Sequence, residues 1–479
     1  MQRPIGSTSC APSCERTTST RDAPGVDVLI EGFDDDAVAL ARLLAGEGNQ
    51  VRLASPEPEP AEAHELRERG IDVQPGVDLD VDPGEPEIAY LDVWTPEVAP
   101  RVGLLRARGA RVSCLGDLLL ERWAGPTIAI TGTAGKTTTT VLTAAILRNS
   151  GIDIAVSEGA RAGNLWPTAD LLERLTDSGA GGETTLLLEL TSSHLAFMCS
   201  SPNLAAVISF WPDHLELHGI LDRYRAAKEQ IVRHQKPGDR VVVNADDASA
   251  GFADGTPADT WEISLVHRVE RGAFLDGERG VVVTDGTTET ALGHIEEAAA
   301  HPTNVVAAAA IATAAGAAPE TIGPGVRDSV PPPWRAQSSG TLGGVRVVDD
   351  GMAATPTKAA AALARYPASS VVLIAGGLTD AGGGSVHATP AEIALLEQAC
   401  DVIARVARVV VLFGPAGPRL AALLGRRDVE LIETDDLAQA VTAAAQRTAR
   451  ATAVVFSPLF PVTLDDRKLF GDLVRRSGS

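Results

Sequence analysis

Cysteine is scarce in this sequence: five in 479 residues, at Cys10, Cys14, Cys114, Cys199 and Cys400. So few thiols, odd in number, exclude a disulfide framework and point to a reducing compartment. Cys10 and Cys14 could suggest half of a metal site, but no second ligand pair follows, and both read as part of a disordered tail. Positive charge is the minority sign, with Lys+Arg 41 against Asp+Glu 63 and a net charge of −22. That balance argues against nucleic acid or an anionic membrane as the main partner and serves solubility. No apolar run reaches the ~18 residues of a membrane span. The N-terminus lacks the apolar segment of a secretory signal. The expected location is therefore the cytoplasm. Hydrophobic residues at 44% suffice for packed cores, and the length suggests about three domains.

What is present is organised around residues 127–140, TIAITGTAGKTTTT. A short apolar strand (127–130) runs into Gly132, Thr133, Ala134, Gly135, Lys136, Thr137 and Thr138, and an apolar helix (141–147) follows. Glycines let backbone N–H groups turn toward an anion, and a helix N-terminus adds partial positive charge. Lys136 can reach terminal phosphates and Thr137 can hold Mg²⁺. The loop is shorter than the usual G-x-x-x-x-G-K-[ST], with two residues between Gly132 and Gly135. A chance Gly/Thr turn is the competing reading, and the strand before and helix after oppose it.

Residues 1–25 read as a disordered tail. A strand (26–30), a turn at Gly32, an amphipathic helix (34–44) and a strand (50–54) begin a Rossmann-like unit covering 26–122. Its glycine fingerprint is poor: Asp34, Asp35 and Asp36 stand where a diphosphate would dock, which is electrostatically wrong. A central domain (123–332) shows strands at 185–190, 205–209 and 240–244 with helices between them, an α/β pattern with a mostly parallel sheet. Three short strands near 261–265, 273–275 and 281–283 look like hairpins. Pro331-Pro332-Pro333 reads as a linker, and 333–479 alternates strand and helix as a second Rossmann-like unit. The expected fold class is α/β in three domains, the central one P-loop ATPase-like.

Three further stretches carry acids, bases and ligands. In LLLELTSSHL, Glu189 ends an apolar strand, where an unpaired carboxylate is costly and a metal ion would supply the partner; taken alone, such a residue is more often a strand-end surface residue. In ISFWPDHLELH, His214 follows a strand of the same sheet, at the edge where α/β ligands bind; a lone loop histidine is usually structural. In YRAAK, Lys228 among alanines is normally a surface residue. Its functional reading is a carbamate formed with CO₂, an anionic oxygen ligand for Mg²⁺.

In this order, GTAGKTT, ELTSSHL, DHLELHG, YRAAK and NADD (residues 244–247) resemble the Mur ligases, the ATP-dependent amide-forming enzymes of peptidoglycan synthesis. WRAQ (334–337), DDGMAATP (349–356), LIAGG (373–377) and SPLFPVTLDDRKLF (457–470) are most similar to the glutamate-adding branch, MurD. The resemblance implies glutamate joined to UDP-N-acetylmuramoyl-L-alanine through an acyl phosphate, with ATP and Mg²⁺, by a monomer. It implies that Lys136 and Thr137 hold phosphates and Mg²⁺, and that Glu189, His214 and carbamylated Lys228 hold a second ion. Lys136, Lys228 and His214 form the catalytic set. Asn164, Thr191 and His194 face the muramoyl substrate, His301, Arg335 and Asp350 the nucleotide, and Thr463 and Phe470 the incoming glutamate.

The chain also departs from that pattern. Ala134 replaces an Asn in the loop, and His301 stands where a nucleotide-contacting Asn is expected. Asp380 replaces a lysine, and Met352 and Ala354 replace residues near the glutamate carboxylate. An acid cannot grip a carboxylate as a cation does, so the expectation leans toward L-glutamate over D-glutamate. Two alternatives stay open: a related ligase acting in secondary metabolism, and a degenerate nucleotide-binding paralogue.

Overall fold

The computed structural model describes residues 25–157, 164–177, 182–294, 300–330, 332–379 and 390–477. These fall into two compact units. The first runs up to Ser329 without Asn164, Ala300 and His301; the second holds those three and the residues from Val330 onward. Asp380 and the tail with Cys10 and Cys14 lie outside the described residues.

The first unit contains two sheets. The smaller has the strand order Asp72–Pro75, Gln50–Ser55, Asp27–Glu31, Ile88–Tyr90, Arg111–Ser113, all parallel. The central strand, DVLIE, is apolar through Val28, Leu29 and Ile30 because helices cover both faces of such a sheet. Helix Asp35–Gly46 buries Ala37, Val38, Leu40, Ala41 and Leu44. Asp34 is its N-cap and accepts from Ala37 N at 2.8 Å. Asp36 accepts from Ala169 N at 2.8 Å. Two of the three acids that looked misplaced for a diphosphate therefore do structural work.

The larger sheet has nine strands, in the order Glu289–Gly293, Gly280–Thr284, Gly272–Asp276, Asp259–Ser264, Arg240–Asn244, Leu204–Val207, Thr127–Thr131, Thr185–Glu189, Ile154–Ala155. The expectation of hairpins at 261–283 is corrected in part. Asp259–Ser264 and Gly272–Asp276 continue the parallel sheet, and only the last two pairings are antiparallel. The loop after Ser264 is not a hairpin turn: Asp246 takes the Ser264 hydroxyl and the Leu265 amide at 2.6 Å each. The real tight turn follows Asp276, whose Oδ1 accepts from Glu278 N and Arg279 N.

Helix Lys136–Asn149 begins five residues earlier than the sequence suggested. Its threonines are poor helix formers, but Thr137, Thr139, Thr140 and Thr143 are buried, and packing overrides propensity. Two helices clamp it. Pro302–Ala314 is buried nearly all round with a run of small residues. Pro319–Asp328 approaches so closely at Gly325 that a Cβ there would meet Ile146 Cα at 2.6 Å.

The second unit is a six-stranded sheet in the order Gln337–Leu342, Val345–Asp349, Ala453–Leu459, Val371–Gly376, Ala407–Phe413, Glu430–Glu433. It is parallel except for the antiparallel edge strand Gln337–Leu342. Cys114 and Cys400 are free, buried thiols. No helix among the described residues is long and apolar enough to cross a membrane.

Candidate active site

Strand Thr127–Thr131 lies between Thr185–Glu189 and Leu204–Val207, and all three are parallel. Their C-terminal ends therefore open side by side, where α/β sheets bind ligands. The topology brings together the loop 132–136 and the loops 189–194 and 208–214, which follow it by about 60–80 residues.

The 132–136 loop is fastened to the 208–214 loop. Thr133 N donates to the Ser209 carbonyl at 3.0 Å. Ala134 N donates to Ser209 Oγ at 3.0 Å, and that hydroxyl donates back to the Ala134 carbonyl at 2.9 Å. Thr133 Oγ1 lies 2.9 Å from Tyr224 Oη and accepts from Trp211 N at 3.2 Å. Ala134 thus contributes only backbone, which removes the weight placed on the missing Asn side chain. Gly135 has φ +84° and caps the following helix. A Cβ there would come within 2.3 Å of Asn304 Oδ1, so glycine is required twice over.

Asn304, in the first turn of helix Pro302–Ala314, is the residue that packs on the phosphate loop, and His301 belongs to the second unit. Ser209 and Tyr224 were missed as loop braces although both lie in the quoted motifs.

Lys136 Nζ donates to the Gly132 carbonyl at 3.0 Å. Lys228 is 1% exposed, so it is no surface lysine. Its Nζ donates to the same carbonyl at 3.0 Å and to Thr131 Oγ1 at 3.2 Å. Tyr224 carries it, with the ring centroid 5.1 Å from Nζ.

Glu189 is fully buried. Its Oε1 accepts from Thr137 Oγ1 and its Oε2 from Leu165 N, both at 2.9 Å. A buried carboxylate beside a hydroxyl at a phosphate-loop helix fits Mg²⁺, which takes hard oxygen donors, one or two carboxylates and substrate phosphates. The described residues hold no group of three or more His, Cys, Asp and Glu side chains that could cage an ion alone. His214 has φ +52°, and its ring sits 6.3 Å from that of Tyr224. Thr191 caps a one-turn helix, and Thr191 N donates to His194 Nδ1 at 3.2 Å. Burial pushes the His194 ring down to about 3, so it is neutral near pH 7. His218, in the same motif as His214, is instead paired with Glu97 at 2.9 Å.

In the second unit, Arg335 donates to Asn164 Oδ1 at 2.8 Å. Asp350 accepts from Ala336 N at 3.2 Å, and burial pushes its carboxyl up to about 7. Thr463 and Asp466 cap the last helix reciprocally: Thr463 Oγ1 donates to Asp466 Oδ2 at 2.7 Å and accepts from Asp466 N at 3.0 Å. Phe470, expected against the incoming glutamate, is fully buried and stacks on Phe456 at 4.3 Å. Its side chain belongs to the core.

Residues 130–277 match the family model described as the Mur ligase middle domain. A UDP-N-acetylmuramoylalanine–D-glutamate ligase of Frankia casuarinae is 33% identical over 449 residues, covering 91% of this chain and 89% of that protein. One from Symbiobacterium thermophilum is 29% identical over 442 residues, covering 90% and 92%. Among solved structures, a MurF ligase from Thermotoga maritima in complex with ADP is similar in fold, with a TM-score of 0.55 at 16% identity over 96% of this chain and 95% of that one. With 33% identity sustained over 91% of its length, the chain belongs to the Mur ligase family and is an ATP-dependent ligase.

Proposed function

We propose that this chain joins D-glutamate to the alanine carboxylate of UDP-N-acetylmuramoyl-L-alanine, forming ADP and phosphate. The observation that carries the reading is the buried Thr137–Glu189 pair beneath a phosphate loop that bears Lys136. The names of the Frankia and Symbiobacterium relatives supply the substrates. Those names favour D-glutamate and give no support to the lean toward L-glutamate drawn from Asp380, Met352 and Ala354; the D enantiomer is the one this reading takes.

A carboxylate is a poor electrophile, so ATP first converts it to an acyl phosphate. The amine of glutamate then attacks the acyl carbon and phosphate leaves. Lys136 turns from the Gly132 carbonyl toward the γ-phosphate and offsets its charge in transfer. The backbone of 132–136, on a helix N-terminus, cradles the phosphates. The Thr137 hydroxyl and the Glu189 carboxylate would hold Mg²⁺, which would supply charge neutralisation at the phosphates. Lys228, as a carbamate, and His214 complete a second cation site in this reading. Arg335, Asp350 and His301 serve the nucleotide and Thr463 the amino acid, while Asn164, Thr191 and His194 face the muramoyl group. Residues 26–122, 123–332 and 333–479 are then donor, ATP and amino-acid domains.

ADP release with UDP-N-acetylmuramoyl-L-alanine and either enantiomer of glutamate tests the reading. The expected result is release that requires both the donor and D-glutamate. Release independent of any amino acid, or a preference for L-glutamate, would overturn it.

A further inference from the structure

The donor site has an aromatic element that the ligase chemistry does not use. Trp94 follows strand Ile88–Tyr90 at its C-terminal end, the ligand edge of the small sheet. Its backbone is fixed by Asp92, which accepts Trp94 N at 2.7 Å. Its side chain is 63% exposed. Trp94 meets Trp166 edge to face at 5.1 Å, and Trp166 meets His194 in the same way at 6.2 Å. The row thus runs from the small sheet to the loop that follows Glu189. Trp166 is 8% exposed, and its buried Nε1–H has no hydrogen-bond partner among the described residues. A buried indole N–H normally finds an acceptor.

The phosphate grip expected of such a sheet is spent. The first turn of helix Asp35–Gly46 has its N-cap supplied by Asp34 and carries Asp35 and Asp36. Three carboxylates in one turn repel a diphosphate. Arg101, a cation at the same edge, is already held by Glu31 and Asp80 at 2.8 Å each.

We propose that Trp94, backed by Trp166, is a stacking platform for an uncharged ring of the donor substrate. The ring is the pyranose or the base of the sugar nucleotide; both present a face that stacks on indole. The inference rests on the ligase reading above and names the residues of its donor site. Stacking of a ring on an aromatic side chain accounts for about tenfold in affinity.

Calorimetric titration of the full chain with UDP-N-acetylmuramoyl-L-alanine, with UDP and with N-acetylmuramoyl-L-alanine tests it. Trp94→Ala should bind the complete donor about tenfold more weakly, Trp94→Phe should recover most of the loss, and ATP affinity should stay unchanged in both. Weakening confined to N-acetylmuramoyl-L-alanine assigns the pyranose, and weakening confined to UDP assigns the base. Wild-type affinity for the donor in Trp94→Ala would overturn the platform alone. A wild-type chain that binds none of the three would overturn the donor assignment itself.

Discussion

Lys136 and Lys228 donate to one oxygen, the Gly132 carbonyl, each at 3.0 Å. Their ammonium groups are therefore at most twice that distance apart. Two cations that close repel by roughly 3 kcal/mol at an effective dielectric constant of about 20. In the ligase reading, an arriving γ-phosphate would relieve that repulsion, and so would a carbamate on Lys228.

Lys136→Ala should reduce ligation at least a hundredfold, because it removes a cation that can follow the γ-phosphate. ADP release under saturating substrates measures it. A variant keeping more than about a tenth of wild-type turnover would show that Lys136 only braces its own loop.

Lys228→Ala should be nearly inactive and should regain part of its activity with added formate or acetate, whose oxygens replace the carbamate. The buried position of Lys228 also predicts loss of wild-type activity when CO₂ is stripped from the buffer. A variant of normal rate, or one indifferent to added carboxylate, would make Lys228 a structural brace for Gly132.

His194 makes the protein acid-labile. Its folded-state value near 3 lies below the usual 6.5, so below pH 6.5 the unfolded chain binds a proton that the folded chain refuses. The stability is complete above pH 6.5 and is lost as pH falls toward 3, by about 2 kcal/mol at pH 5. Urea unfolding at pH 7.5 and pH 5 should show His194→Gln losing less than wild type between the two.

Asp350 acts with the opposite sign. Burial raises its folded value from 3.8 to about 7, so its contribution is present below pH 3.8 and is lost as pH rises toward 7. Asp350→Asn keeps an acceptor for Ala336 N and cannot ionise. Compared with wild type, it should gain stability between pH 4.5 and pH 8 in thermal melts. Equal pH slopes for the two proteins would exclude this.

Much of this was readable from residues alone, because α/β sheets write their strands as apolar runs and their phosphate loops as glycine. The strand–loop–helix around Lys136, Glu189 at a strand end and the parallel alternation of the third segment all follow from local pattern. What was not readable depends on packing between segments remote in sequence. Phe470 looks like a ligand-facing aromatic until Phe456 is stacked on it. The packing of Asn304 on Gly135 cannot be read from the start of its helix alone. Thr463 carries a hydroxyl suited to a substrate, and no local pattern shows that Asp466, three residues later, also engages it as a cap. Asp34 and Asp36 looked like defects in a diphosphate site because periodicity cannot show that one caps a helix and the other holds Ala169.

The close approach of Gly325 to Ile146 sets a limit on how this enzyme can vary. Ile146 lies ten positions along the helix that Lys136 begins, about 15 Å from Lys136 at 1.5 Å per residue. At Gly325 the neighbouring helix leaves no slack to absorb a methyl group. A change at 325 would therefore be transmitted lengthwise, as a shift of the whole rod that carries the loop. Misplacing reacting groups by an ångström costs turnover heavily even when binding survives. The tolerance of the phosphate loop to sequence drift is thus fixed partly at its far end, by a residue that never meets a substrate.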